Sequence, residues 1–434
     1  MGWIQDLWSL KKNPFSIREL NKSEELQTLF VNRKREIRQL INTLTGSEGG
    51  VVYGINGMRG VGKSTVLNKI LSEIEKCNGL VIKVRSSGTY TELDFLSKLL
   101  TDICDQIEIR EMPKDVKKEL VRLKSNLLYN EKISKEKTDD ASIRSSIKAS
   151  FASLFGAEVG AEVKTQFSEN IERELKPYSK ASLTREILQF LKFLNEKTDF
   201  TCIVIGIDET DKCRFKVAEE LLDSLKVILS SEDCHFVFVG TLKFHSDFAQ
   251  AFCGREEEAT LSSIFEGEVV VNPLTNKQMM EIIEKRLQYF CESDVVNNPF
   301  SQDALNIILE LSSGNPKKEM RLCSEGFNYF GHEGKKIQGK ELIEYYQSKD
   351  YIPLLSPTEQ KYLEVINKLG IVSATSENLF EKLAAIGTKH NDKKQYRVNL
   401  ENLVGKKYLE KIVVEEELVK YKLSTFCEYV IAQK

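Results

Sequence analysis

Apolar positions along the chain fall into two alternating registers. Ile37, Leu40, Ile41 and Leu44 recur at helical spacing, and the next apolar run, Val51-Val-Tyr-Gly-Ile55, is short and largely β-branched, as in a strand buried on both faces. Gly57 to Gly62 interrupts that run before a second helical stripe at Val66, Leu67, Ile70, Leu71 and Ile74. This predicts strand, glycine loop and helix in succession. Leu80-Val-Ile-Lys-Val84 predicts a second strand, followed by a helix from about Glu92 to Ile107. Cys202 to Ile207, His235 to Gly240 and Glu268 to Val271 predict three more strands. Short apolar strands separated by helices give an α/β fold, a parallel five-stranded sheet covered on both faces.

The interval between the second and third strands is too long for one crossover helix, so residues 110–178 read as an insertion. A charged helix over 110–140 carries Val116, Leu120, Leu123 and Leu127 on one face. From Ile147 to Phe167 the period changes to two, predicting a β-hairpin that turns near Gly156; a small-residue helix through Gly156 and Gly160 is the alternative. Past the sheet, Thr275-Asn-Lys-Gln278 has the form of a capping box before Met279, Ile283, Leu287 and Phe290. A helical lid over 275–350 follows, its later helices flanking Ser-Ser-Gly314-Asn-Pro316. Ser356-Pro357-Thr358-Glu359 starts another helix and Gly370 ends it. Helices at about 376–385 and 396–406 and two strands, Leu409 to Val414 and Val419 to Leu423, complete a winged helix over 351–434, leaving 1–274 to the α/β domain.

Composition narrows the function classes. The 434 residues are 41% hydrophobic and 29% charged, with Lys+Arg 62 against Asp+Glu 65 and a net charge of −3. Global disorder and a bulk polycation are both excluded, so any nucleic-acid contact has to come from a local patch. The longest apolar stretch, Phe200 to Ile207, is far short of the ~20 residues that cross a bilayer. With no cationic-then-apolar leader, the expected compartment is the cytoplasm and no membrane role is expected. The nine cysteines form no Cys-x-x-Cys pair and the four histidines are far apart, so the pattern does not point to zinc.

Candidate chemistry concentrates at the glycine loop. Gly57-Met-Arg-Gly60-Val61-Gly62-Lys63-Ser64 fits Gly-x-x-x-x-Gly-Lys-Ser, directly after a strand and at the start of a helix. Glycines let backbone N–H groups converge on phosphate oxygens, and the helix N-terminus adds positive potential. Lys63 is expected on the β- and γ-phosphates and Ser64 on magnesium, with Thr65 continuing the helix. The implied ligands are ATP and Mg2+. The third strand delivers Asp208 and Glu209 to the edge of the sheet where the phosphates lie, Asp208 for the metal shell and Glu209 as general base. Thr241, at the end of the fourth strand, either orients the attacking water or simply caps its strand.

The order of P-loop, Asp208-Glu209, Gly240-Thr241, Arg255, lid helices, Gly314-Asn-Pro316-Lys317 and winged helix resembles the AAA+ ATPases of the origin-recognition and helicase-loader type, with related KAP- and STAND-type prokaryotic NTPases. The likeness covers nearly the whole chain. Asn13-Pro-Phe and Phe30-Val-Asn-Arg33-Lys-Arg-Glu36 look like the family's adenine-side motif, with Asn32 in place of its glycine. The resemblance implies that Arg255 is an arginine finger for a neighbouring subunit, and hence a homo-oligomer. It places the second sensor at Lys317 or, one turn on, Arg321, and in STAND-like members brings the turn at Pro316 to the adenine.

Partners follow from the same resemblance. A winged helix reads double-stranded DNA with its third helix, and Lys393, Lys394, Arg397, Lys406 and Lys407 surround that helix. From Leu355 onward there are 13 Lys+Arg and 11 Asp+Glu, a difference of +2, and Glu415, Glu416 and Glu417 occupy the wing tip. Three functions stay open: an ATP-dependent loader or remodeller on DNA; a STAND-like signalling switch, as in phage defence, whose winged helix and insertion 110–178 bind protein; and a transposition regulator that places a partner on DNA.

Overall fold

The computed structural model describes residues 2–47, 50–86, 90–135, 177–210, 227–241, 265–293, 295–349, 351, 355–370, 372–373, 381–383, 393–415, 418–424 and 427. They fall into two compact units, one built from Glu19–Gln27 and Asn32–Asn272, the other from Met1–Arg18, Thr28–Val31 and Pro273–Lys434.

The first unit holds a sheet of β1 (Val52–Gly57), β2 (Leu80–Arg85), β3 (Ile203–Asp208), β4 (His235–Gly240) and β5 (Gly267–Val271). Every pairing is parallel and the order is β2-β3-β4-β1-β5. The apolar runs read from the sequence are these strands, and β3 and β4 are buried at every position. Alternation sends Ile203, Ile205, Phe236 and Phe238 to one face, in a core shared with the helices Glu92–Glu108 and Lys180–Lys197. The other face receives the helix Lys63–Lys76: a Cβ on Gly206 would stand 2.9 Å from Leu67 Cδ1, so the bare backbone lets that helix close on the sheet. The helix read at 110–140 is Lys114–Lys135, with Val116, Leu120 and Leu123 buried as its stripe requires. The hairpin expected between Ile147 and Phe167 lies outside the described residues.

In the second unit the helices Asn276–Phe290, Gln302–Ser312, Pro316–Phe330, Gly339–Ser348, Pro357–Leu369 and Lys393–Gly405 accompany a small sheet. Capping boxes form at Thr275/Gln278 and Ser356/Glu359, each satisfying two otherwise orphan N–H groups. β7 (Leu409–Glu415) and β8 (Leu418–Leu423) are antiparallel, and β6 (Val372–Ser373) adds to β8, giving the order β6-β8-β7. β6 has two residues, too few to carry a period. Of the helix read at 376–385, residues 381–383 are described and helical. One continuous core runs from Trp8 and Phe15 through Phe327 and Tyr346 to Tyr408 and Tyr421. Residues 1–18 belong to this unit because Trp8, Leu10 and Phe15 bury their side chains here. Trp8 Nε1 donates to Gly331 O at 2.7 Å, and Arg286 Nη1 donates to the carbonyls of Pro14 and Ser16, both at 3.0 Å.

Candidate nucleotide site

A parallel sheet puts the C-terminal ends of its strands along one edge. There β1 runs into the glycine loop and β3 ends at Asp208. Gly62 caps the helix Lys63–Lys76 with φ +97, a left-handed conformation open to glycine at little cost. The loop is thereby turned so that the first N–H groups of the helix, and the positive end of its dipole, are offered at its mouth. Lys63 folds across its own loop, Nζ donating to Gly57 O at 2.9 Å and Met58 O at 3.1 Å.

The phosphate loop and the acidic strand end read from the sequence meet directly: Ser64 Oγ donates to Asp208 Oδ1 at 2.9 Å. Asp208 is 1% exposed, so its charge depends on these contacts rather than on water. Its second oxygen, Oδ2, lies 3.0 Å from Lys83 Nζ in an ion pair, without an aligned hydrogen bond. Glu209 turns into the left-handed region at φ +61, uncommon for a residue with a side chain, and its N–H donates to Asp208 Oδ1 at 2.9 Å. Thr210 Oγ1 donates to Val239 O at 2.8 Å, tying the end of β3 to β4. Thr241 follows Gly240 at the same edge and is half-buried.

Arg33, read as an adenine-side residue, is placed as a brace for the loop: Nη1 donates to Val61 O at 3.2 Å and Nη2 to Asn272 O at 2.7 Å. Both Asn32 (φ 66) and Arg33 (φ 68) are left-handed. Asparagine tolerates that conformation better than most residues, which explains how it stands where the family motif has glycine. Gly60 and Thr65 lie where the motif puts them, in the loop and in the first turn of its helix. Arg255 lies outside the described residues. Pro316, Lys317 and Arg321 belong to the second unit. Pro316 opens the helix Pro316–Phe330 behind an Asn315 cap, Lys317 is exposed in its first turn, and Arg321 Nε pairs with Glu325 at 2.9 Å beneath the Tyr351 ring.

Three residues of the site were not singled out by the sequence. Lys83, on β2, pairs with Asp208, donates to Asn68 Oδ1 at 2.7 Å and to Glu19 Oε1 at 3.2 Å; Asn68 Nδ2 in turn donates to Leu20 O at 2.7 Å. Only the Lys within an otherwise apolar strand signalled it.

The donors suit a magnesium ion. A hydroxyl and a buried carboxylate with an unbonded oxygen are hard oxygen ligands, and among the described residues no group of three His, Cys, Asp or Glu forms an all-protein cage. Mg2+ typically takes one or two carboxylates and completes its shell with phosphates and water.

Residues 33–132 match the NB-ARC domain family, a P-loop module of the AAA+ kind. An uncharacterised HTH-type transcriptional regulator of Methanocaldococcus jannaschii is 24% identical over 396 residues, covering 88% of this chain and 86% of that protein. Among solved structures, Cdc6p from Pyrobaculum aerophilum aligns with TM-score 0.46 at 12% identity over 95% of this chain and 96% of its own. The Aeropyrum pernix ORC1 protein in complex with DNA aligns with TM-score 0.39 at 13% identity over 95% of each. The NB-ARC match takes in the glycine loop and the helix Lys63–Lys76, and the sheet unit has the α/β fold of P-loop NTPases.

Proposed function

We propose that this chain binds Mg·ATP at the edge formed by β1 and β3, hydrolyses it, and uses the cycle to act on DNA. The Ser64–Asp208 hydrogen bond at 2.9 Å carries the reading, because it joins the phosphate loop to the acidic strand end around one small volume. The loop N–H groups and Lys63 hold the phosphates, Lys63 exchanging its bonds to Gly57 O and Met58 O for phosphate oxygens. Ser64 and Asp208 would hold Mg2+, which would supply neutralisation of the phosphate charge. Glu209, carried past Asp208 by its left-handed backbone, takes the proton from the attacking water, and Thr241 orients that water. An arginine finger from Arg255 of a neighbouring subunit completes the site, so the isolated subunit turns over slowly.

The DNA role rests on the C-terminal helices and ribbon, read as a winged helix, and on basic residues in and around the helix Lys393–Gly405. The similarity to an uncharacterised HTH-type transcriptional regulator of Methanocaldococcus jannaschii agrees with it. The alternative, a signalling switch, keeps the same nucleotide site and replaces DNA by a protein partner of the insertion 110–178. One set of turnover measurements tests all of this. Lys63→Ala should abolish ATP binding, Glu209→Gln should bind but not hydrolyse, and duplex DNA at low salt should raise wild-type turnover. The DNA reading falls if turnover is indifferent to DNA, or if replacing Lys393, Lys394 and Arg397 with Glu leaves the stimulation intact.

A further inference from the structure

Lys83 places a cation directly beside Asp208, in addition to Lys63 of the phosphate loop. It emerges from β2 beside β3, and its ammonium meets three oxygens at once: it donates to Asn68 Oδ1 at 2.7 Å and Glu19 Oε1 at 3.2 Å, and forms an ion pair with Asp208 Oδ2 at 3.0 Å. Glu19 is shared with Arg85, so it is only partly committed to Lys83. Asn68 is fixed in turn by Leu20 O. The side chain of Lys83 is 21% exposed and that of Asp208 1%, so solvent screens the pair weakly.

We infer that Lys83 is a positioning residue that sets the magnesium requirement of the site, acting as a built-in counter-charge to Asp208. The inference rests on the nucleotide reading above. With Lys83 in place, Asp208 carries a paired rather than a bare charge. Phosphate can then approach the loop without metal, and the metal gains less when it arrives. Without Lys83, a bare buried carboxylate repels the triphosphate until a divalent cation neutralises both. Lys83 therefore weakens the thermodynamic coupling between Mg2+ and ATP, and that coupling is reciprocal. One unit charge a few ångströms away in a partly buried site changes such an equilibrium on the order of tenfold or more.

The test is the ratio of dissociation constants for a fluorescent N-methylanthraniloyl ATP in EDTA and in excess MgCl2, measured on the full chain. Lys83→Met should raise that ratio on the order of tenfold, by weakening binding in EDTA more than in magnesium. Lys83→Arg, which keeps the charge, should retain the wild-type ratio. Glu19→Gln, which leaves Lys83 more fully committed to Asp208, should move the ratio the other way. A purely structural role for Lys83 would shift both constants together and leave the ratio alone. Unchanged ratios in Lys83→Met and Glu19→Gln overturn the inference while leaving nucleotide binding intact. If Lys83→Met does not fold, the direction in Glu19→Gln decides. A wild-type chain that binds the probe under neither condition sinks the nucleotide reading itself.

Discussion

Glu319 is fully buried in the second unit and neither of its carboxylate oxygens has a hydrogen-bond partner. Desolvation pushes its carboxyl up to about 9, against the pull of Arg286, whose Nη1 is already engaged by the carbonyls of Pro14 and Ser16. The unfolded chain holds this group near 4.5. Because the folded value is the higher one, the folded state binds the proton more tightly, and Glu319 favours folding fully below pH ~4.5. That contribution is lost progressively as pH rises through ~9. Glu319→Gln keeps the shape and cannot ionise. It should gain stability over wild type as pH rises from 6.5 to 9, by on the order of 3 kcal/mol at the upper end. Urea midpoints of the two proteins at both pH values measure this, and a difference that shrinks with pH contradicts it. Asp208 shows the opposite solution to the same burial, since it is compensated by Ser64, Lys83 and the Glu209 N–H.

At the scale of the element, the strand-to-loop junction at β1 is the most tightly specified. Gly57 lies opposite Val271 across the β1–β5 pairing, and a Cβ there would stand 2.5 Å from Val271 O. The obstruction is backbone, so it cannot be relieved by a rotamer change. Gly57→Ala should force β5 away from β1, costing about 1–3 kcal/mol in a denaturant titration and abolishing ATP binding in a nucleotide titration. This junction was legible in the sequence, as were all five strands of the large sheet and the capping boxes at Thr275 and Ser356, because each depends on neighbours in the chain. Strand order was not legible from periodicity. It decides that β2 lies beside β3, which makes Lys83 a neighbour of Asp208 instead of one polar residue in an apolar run. Arg33 was singled out, but its bracing of the loop escaped for a similar reason: its carbonyl partners, Val61 and Asn272, come from two distant segments. β6 was invisible because it exists only as an addition to β8.

For the whole molecule, each unit has its own hydrophobic core, one under the five-stranded sheet and one running from Trp8 to Cys427. Lys63, Ser64, Asp208 and Arg33 all belong to the first, whereas Pro316, Lys317 and Arg321 belong to the second. Calorimetry should therefore resolve two transitions. Mg·ATP at about 100 times its Kd should stabilise the unit holding Lys63 by ~2.7 kcal/mol. The second transition is the informative one. A basic residue of the helix Pro316–Phe330 that senses the γ-phosphate binds ATP only in the folded second unit, so linkage requires that transition to shift as well. Arg321 would have to leave Glu325 and the Tyr351 ring to do this, while Lys317 stands exposed in the first turn of its helix. Leaving a formed ion pair and a cation–π contact costs energy that Lys317 does not spend. If Mg·ATP does shift the second transition, Lys317→Ala should abolish that shift and keep that of the first, with Arg321→Ala close to wild type. If the second transition ignores Mg·ATP in the wild-type chain, neither residue is a sensor.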